Sequence, residues 1–228
     1  MRIAEIYQSV QGEGLWTGTN SVFVRASGCN LRCWFCDTPF TSWRPEGDDL
    51  AVDEIVRQVR TFAAQDVVIT GGEPMLFAEL LPLCEKLSEH GLRITIETAG
   101  TLYLPVVCDL MSISPKLSNS TPSLRQAPRW RERHERTRNA PDVIRRLVEQ
   151  YSYQMKFVVD NREDCDEVEL YLAGFPEIQR DRVLLMPQGV VPDELESKAA
   201  WLADYCDQHG FRFCPRMHIA WFGAVRGT

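Results

Sequence analysis

Apolar and polar positions along the chain change period repeatedly. Short runs rich in Val, Ile, Leu and Phe fall at residues 21–26, 66–70, 92–97, 108–114, 153–159 and 182–186, and read as β-strands. Between them the spacing turns helical. Ile55, Val56, Val59 and Phe62 share one face of residues 53–64. Residues 76–90 form an amphipathic stretch closed by Gly91, a glycine where helices end. Residues 162–173 and 193–208 read as two further helices. Residues 3–10 alternate weakly, as a strand does, and 41–50, with Pro45 and Gly47, read as a loop. Residues 211–217 read as a last extended segment. Strand and helix in alternation imply a parallel sheet with right-handed crossovers. About six such units are too few for a closed eight-unit barrel. The expected fold class is therefore α/β, a partial, open parallel β/α barrel in one domain spanning 1–228.

One segment interrupts this rhythm. Residues 118–140 carry Arg125, Arg129, Arg131, Arg133, Arg136 and Arg138 against Glu132 and Glu135. Such a stretch is expected to be an insertion, a solvated face or mobile loop. Composition adds boundaries. With 228 residues, 44% hydrophobic and 25% charged, the chain can bury a sizeable core. No run of about 18 apolar residues exists to cross a membrane. The first residues lack a signal-peptide core, so a cytoplasmic setting is expected. The formal charge of −7 argues against a general nucleic-acid surface. In a reducing compartment cysteines serve as free thiols or ligands. Cys84, Cys108, Cys165, Cys206 and Cys214 are scattered singly and read as small buried residues.

The remaining three are not scattered. Gly28-Cys29-Asn30-Leu31-Arg32-Cys33-Trp34-Phe35-Cys36-Asp37-Thr38 sets three thiols in eight residues, with no fourth ligand nearby. A structural zinc site closes with four protein ligands, and so does an electron-transfer iron–sulfur cube. Three ligands leave one metal position open for a substrate or cofactor. A zinc knuckle with a distant fourth ligand is the competing reading. The other polar groups fall at strand ends, where ligands of parallel α/β folds bind. These are Thr70-Gly71-Gly72-Glu73-Pro74, Glu97-Thr98, Ser114-Pro115-Lys116 and Pro187-Gln188. The loop Gln11-Gly12-Glu13-Gly14 adds glycines that let a ligand approach the backbone.

The cysteine loop resembles that of the radical S-adenosylmethionine (SAM) enzymes. With Gln11-Gly12-Glu13-Gly14, Phe23-Val24-Arg25, Cys36-Asp37-Thr38 and Ser114-Pro115-Lys116, the chain resembles the 7-carboxy-7-deazaguanine synthase family from the first strand to His218. That resemblance implies contraction of 6-carboxy-5,6,7,8-tetrahydropterin with loss of ammonia, a lyase step toward queuosine and other 7-deazapurines. It implies a [4Fe–4S] cluster on Cys29, Cys33 and Cys36, SAM, and Mg²⁺ at Thr38. It implies SAM contacts from Phe35, Asp37, Gly72, Glu73, Glu97, Ser114, Pro115, Lys116, Pro187 and Gln188. The Glu73 carboxylate is expected to accept from the SAM ammonium. It implies pterin contacts from Gln11, Gly12, Glu13, Gly14, Arg25, Thr70 and His218. A homodimer reduced by a flavodoxin or ferredoxin-type donor is also implied. Two features depart from compact members: the arginine-rich segment, and the residues after His218, which leave a contact from Thr228 open. A glycyl-radical activase shares a similar cysteine loop but acts on a protein. A non-enzymatic iron–sulfur or zinc protein is the other class to separate.

Overall fold

A computed structural model describes residues 1–228. β1 (Arg2–Val10) runs antiparallel to β2 (Asn20–Ala26) and, on its other side, to the two-residue β3 (Asp48–Asp49). All later pairings are parallel: β4 (Asp66–Gly71), β5 (Arg93–Thr98), β6 (Leu110–Ile113), β7 (Tyr153–Val159), β8 (Val183–Pro187) and β9 (Arg212–Phe213). The sheet order is β3-β1-β2-β4-β5-β6-β7-β8-β9. Each parallel strand lies beside its predecessor, so the winding never reverses as a doubly wound sheet does. β3 and β9 do not pair, which leaves the barrel open, as the strand–helix rhythm predicts.

The helices are α1 (Pro39–Ser42), α2 (Val52–Val59), α3 (Leu80–Glu89), α4 (Pro128–Arg138), α5 (Pro141–Gln150), α6 (Arg162–Ala173), α7 (Pro192–His209) and α8 (Met217–Phe222). Strand side chains alternate between faces. One set, including Val22, Val24, Ile69, Ile96, Ile113, Met155, Phe157 and Leu185, is fully buried. It packs with Ile55, Val59, Leu83, Leu87, Ile144, Val168 and Leu202 from the helices into one contiguous core. Each such side chain contributes about 1.5–3 kcal/mol by leaving water. Glycine is required where loops meet at the mouth of the sheet. A Cβ on Gly72 would sit 2.0 Å from the Gly28 carbonyl oxygen, and one on Gly12 2.5 Å from the His218 backbone nitrogen.

Several expectations need correction. The crossover between β5 and β6, residues 99–109, contains no helix. α5 lies where none was expected: Pro141 starts it, and Ile144 and Leu147 bury one face. The extended segment at 211–217 shrinks to Arg212–Phe213, because Pro215 cannot donate to a ladder and α8 starts at Met217. The 118–140 segment is neither a solvated face throughout nor a loose loop. It contains α4, whose His134 is fully buried. His134 Nδ1 accepts from the Arg32 N–H at 3.1 Å, and Nε2 lies 2.9 Å from Ser120 Oγ. Burial pushes His134 down to about 4, so the ring stays neutral and can accept at Nδ1. The segment thereby grips the cysteine loop from outside.

Candidate active site

The core-facing positions of the parallel strands are apolar, but the opposite face is not. It carries Arg25, Thr70, Glu97, Ser112, Gln154 and Lys156, placed side by side by registers such as Arg25 to Thr70, Glu97 to Ser112 and Ser112 to Gln154. Arg25, Thr70, Glu97 and Lys156 of that face line a cavity of about 560 Å³. Cys29, Cys33 and Cys36 line the same cavity, as do Phe35, Asp37 and Thr38 beside them.

The cavity's charges are paired and buried. Lys156, 3% exposed, donates to Glu13 Oε2 at 2.9 Å and to Glu97 Oε1 at 3.2 Å. Glu13 also accepts from Arg216 Nε at 3.3 Å, and Arg216 continues to Asp37. Burial alone would raise the Glu13 carboxyl, but Lys156 and Arg216 outweigh it and hold it well below the usual carboxylate range. Burial would likewise lower Lys156, but Glu13 and Glu97 outweigh it and raise it. Thr70 Oγ1 donates to Glu97 Oε2 at 2.8 Å, and Gln11 Nε2 lies 3.5 Å from Glu97 Oε1. His218 stands 3.8 Å from Glu13 and is held low by burial.

Arg25 sits across the cavity. Its Nε donates to Glu5 Oε1 at 2.7 Å and its Nη2 to Tyr7 OH at 2.6 Å, which leaves Nη1 free. Glu5 also accepts from Arg226 Nε at 2.8 Å. Arg226 is also paired with Glu46 at 2.9 Å, so the two guanidinium groups face two carboxylates, and the free Nη1 of Arg25 is what that wall offers a ligand. Residues 223–228, Thr228 included, complete the wall.

The cysteine loop suits a polynuclear centre. Three thiols open on one cavity and none is in a disulfide. Leu31 N–H points at Cys29 Sγ from 3.4 Å, and Ser42 Oγ lies 3.2 Å from Cys36 Sγ. Such donors favour bound thiolates. Burial pushes Cys29 up to about 11 and Cys33 up to about 12, so each gives up its proton on ligation. Three thiols opening on one cavity, with no fourth cysteine lining it, suit a cube that keeps one iron for a non-protein ligand.

Of the residues singled out in the sequence, Gln11, Gly12, Glu13, Arg25, Phe35, Asp37, Thr38, Thr70 and Gly72 line the cavity. So do Glu97, Ser114, Lys116, Gln188 and His218. Gly14, Pro115 and Pro187 do not. Gly14 N–H points at Cys214 Sγ instead, and Pro115 and Pro187 are buried behind the wall. Glu73 is the main correction. It is fully buried, and its carboxylate accepts from Met75 N–H, Thr98 Oγ1 and Ala99 N–H at 2.8–3.1 Å. Those bonds lock the β4 and β5 turns together and hold the carboxylate out of the cavity lining, so Gly72 is what this motif presents there. Lys116 folds back on Ser114, 2.6 Å from its carbonyl and 2.8 Å from its hydroxyl oxygen. Thr38 precedes α1 and makes no side-chain cap to its backbone; its hydroxyl accepts from Thr41 Oγ1 at 3.3 Å and lines the cavity.

Comparison with known proteins matches these observations. The radical SAM superfamily model matches residues 23–147. The chain is 42% identical to the 7-carboxy-7-deazaguanine synthase of Rhodopirellula baltica, over 99% of this chain and 88% of that protein. It is 41% identical to that of Halobacterium salinarum, over 96% and 89%. Among solved structures, QueE from Escherichia coli superposes with a TM-score of 0.70 at 23% identity, covering 95% of this chain and 94% of that one. SuiB of Streptococcus suis bound to S-adenosylmethionine gives 0.55 at 18% identity, over 86% and 51%. Both structures share the fold.

Proposed function

The chain belongs to the 7-carboxy-7-deazaguanine synthases of the radical SAM superfamily, and we propose that it converts 6-carboxy-5,6,7,8-tetrahydropterin to 7-carboxy-7-deazaguanine with release of ammonia. The observation that carries this reading is a single cavity holding three cysteine-loop thiols, an Arg25 guanidinium with Nη1 free and a paired-carboxylate edge. Membership implies SAM and a [4Fe–4S] cluster, the cluster held by Cys29, Cys33 and Cys36. When bound, the two supply the 5′-deoxyadenosyl radical that starts the ring contraction. The protein's part is binding, orientation and exclusion of water. Glu13, Glu97 and Gln11 offer oxygen acceptors on one side, matched to the amino and ring N–H donors of a pterin edge. Arg25 offers Nη1 on the other side, matched to the substrate carboxylate. Gly72, Ser114, Lys116 and Gln188 lie toward the cysteine loop, on the SAM side. Residues 223–228 shield the reacting centre from solvent.

The deciding experiment is anaerobic reconstitution followed by incubation with SAM, dithionite, magnesium and the carboxypterin. A product with deazaguanine absorbance is expected. SAM binding with no turnover of this substrate would favour a different radical enzyme, and zinc as the sole bound metal would remove the enzyme reading.

Arg25→Lys is expected to raise the substrate KM at least about tenfold while SAM binding is unchanged. Lysine cannot hold Glu5, Tyr7 and a carboxylate at once in a planar fork. An unchanged KM would reassign Arg25 to the Glu5 ion pair alone.

Thr38 is our assigned magnesium ligand. Its hydroxyl faces the cavity without a capping duty, and magnesium takes oxygen ligands while keeping several waters. One hydroxyl is a weak ligand, so the ion is completed by substrate oxygens and water. Chelation of divalent ions should slow the wild type strongly, with magnesium restoring it. Thr38→Ala should lose most of that stimulation yet retain cluster and SAM. Full activity of the metal-free wild type would refute the assignment.

A further inference from the structure

The outer side of the cysteine loop has no part in holding substrate, yet its chemistry is distinctive. Trp34, between Cys33 and Cys36, is 47% exposed. It is held from outside: its backbone N–H donates to Ser120 O at 3.1 Å and its indole Nε1 to Asn119 O at 2.7 Å. Beside it runs a shallow groove of about 630 Å³, lined by Trp34, Cys36, Phe40, Trp43 and Gln126 among others, with Arg44 and the Arg226-paired Glu46 as its charged members. Cys36 therefore lines both the substrate cavity and this outer groove. Trp34 also meets Phe35 edge-on at 5.4 Å, and Phe35 lines the cavity. The wall between the outer surface and the cluster site is one residue thick.

The α4 face beside this groove carries charge opposite to that of the molecule. The chain as a whole is −7. Arg136 and Arg138 are neutralised by Glu132, Glu135 and Glu167. Arg125, Arg129, Arg131 and Arg133 are exposed, and none is in an ion pair. Arg32 and Arg44 from the cysteine loop and its exit are likewise unpaired. Arg32 and Arg133 stack on Trp130 at 3.9 and 4.6 Å, which fixes α4 against the loop. Six unpaired guanidinium groups on an acidic protein make a directed field, and such fields steer partners of opposite charge.

We propose that the α4 face and the Trp34 groove form the docking surface for a small acidic protein carrying a low-potential one-electron centre. This rests on the reading of the cavity as a radical SAM site. One electron passes from the reduced carrier to the cluster held by Cys29, Cys33 and Cys36; the carrier is oxidised by one electron and the cluster reduced by one. The arginines bring the carrier's acidic rim to the loop, and Trp34 and Cys36 form the short path inward. The buried His134 bond to the Arg32 backbone keeps this face registered on the loop.

The test uses reconstituted enzyme and flavodoxin as the probe. Arg125, Arg129 and Arg131 are reversed together to Glu. All three side chains are exposed, outside the cavity and apart from the Trp130 stack. Binding of oxidised flavodoxin is titrated by flavin fluorescence across ionic strength. In the reversed enzyme its Kd should rise about tenfold or more at low salt, and its salt dependence should flatten. The triple Gln variant should fall between. Turnover driven by dithionite, which needs no docking, should stay within about twofold of wild type. Equal flavodoxin affinity in all three proteins would overturn the proposal. So would binding of a structured RNA that the reversal abolishes while flavodoxin binding is unmoved. Failure of dithionite-driven turnover in the wild type would count against the cavity reading, and the binding titration would still decide the docking surface.

Discussion

Replacing Cys29, Cys33 or Cys36 singly by Ala is expected to abolish the [4Fe–4S] electron paramagnetic resonance signal and all turnover. Each thiol opens on the same cavity, and no fourth protein thiol lines it. With three ligands the cube has no protein donor in reserve, so loss of one is not compensated. The control is Cys165→Ala. Cys165 is fully buried on α6 within the apolar core, away from the loop. Its replacement removes a small side chain and should cost some stability but no signal. A Cys165→Ala protein that lost the signal while Cys36→Ala kept it would overturn the ligand assignment. The result also separates the cube from a zinc knuckle, which has no such signal.

The strands and the cysteine loop were legible because their signals are local. Apolar runs, flanking glycines and the 28–38 spacing can each be read within a dozen residues. Arg25, Thr70, Glu97 and Gln188 line the cavity, and each lies near a strand end. Lys156 was not found, although it left a trace. Tyr153–Val159 alternates Gln154 and Lys156 with Tyr153, Met155 and Phe157. A parallel strand covered by helices on both faces should be apolar throughout. The polar alternation, repeated in Thr95-Glu97 and Ser112, marks a sheet with one face on a polar interior. Arg216 carried no such trace, since it lies in an irregular segment ordered by Glu13 and Asp37 from distant parts of the chain.

Glu73 and His134 show the limit from the other direction. The Gly71-Gly72-Glu73-Pro74 pattern gives residue types but not the direction of a side chain. Thr98 and Ala99, from the neighbouring strand, claim the Glu73 carboxylate. Burial raises that carboxyl, with the hydrogen bonds working against the rise. The arginine-rich segment likewise reads as solvated because its composition is polar. One buried histidine, bonded to the Arg32 backbone, decides its position instead. Neither pairing has a sequence spacing that could have revealed it.

The last expected result concerns Lys156, which we assign a positioning role. Lys156→Met should destabilise the fold and raise the substrate KM more than it lowers kcat. The ammonium is nearly inaccessible and bridges Glu13 and Glu97, themselves largely shielded. Removing one partner of a buried pair leaves uncompensated charge and costs about 3–5 kcal/mol. For a chain of this length that corresponds to a fall of roughly 6–20 °C in Tm. The pH dependence distinguishes positioning from bulk instability. Glu13 is depressed in the folded protein, so its contribution is present above the ordinary carboxylate range and is lost as pH falls through the lowered value. Without Lys156 only Arg216 and His218 oppose the burial of Glu13, and its carboxyl rises. The facing groups are otherwise Asp37, Glu97, Gln11, Tyr7 and Cys214, none of which supplies a replacement cation. The variant's KM should therefore climb as pH falls, over a range where the wild type is flat. Lys156→Arg keeps the charge and should recover the flat profile in part. A variant that is less stable but has an unchanged KM at every pH would show Lys156 to be a structural ion pair with no hand in presenting Glu13 to the substrate.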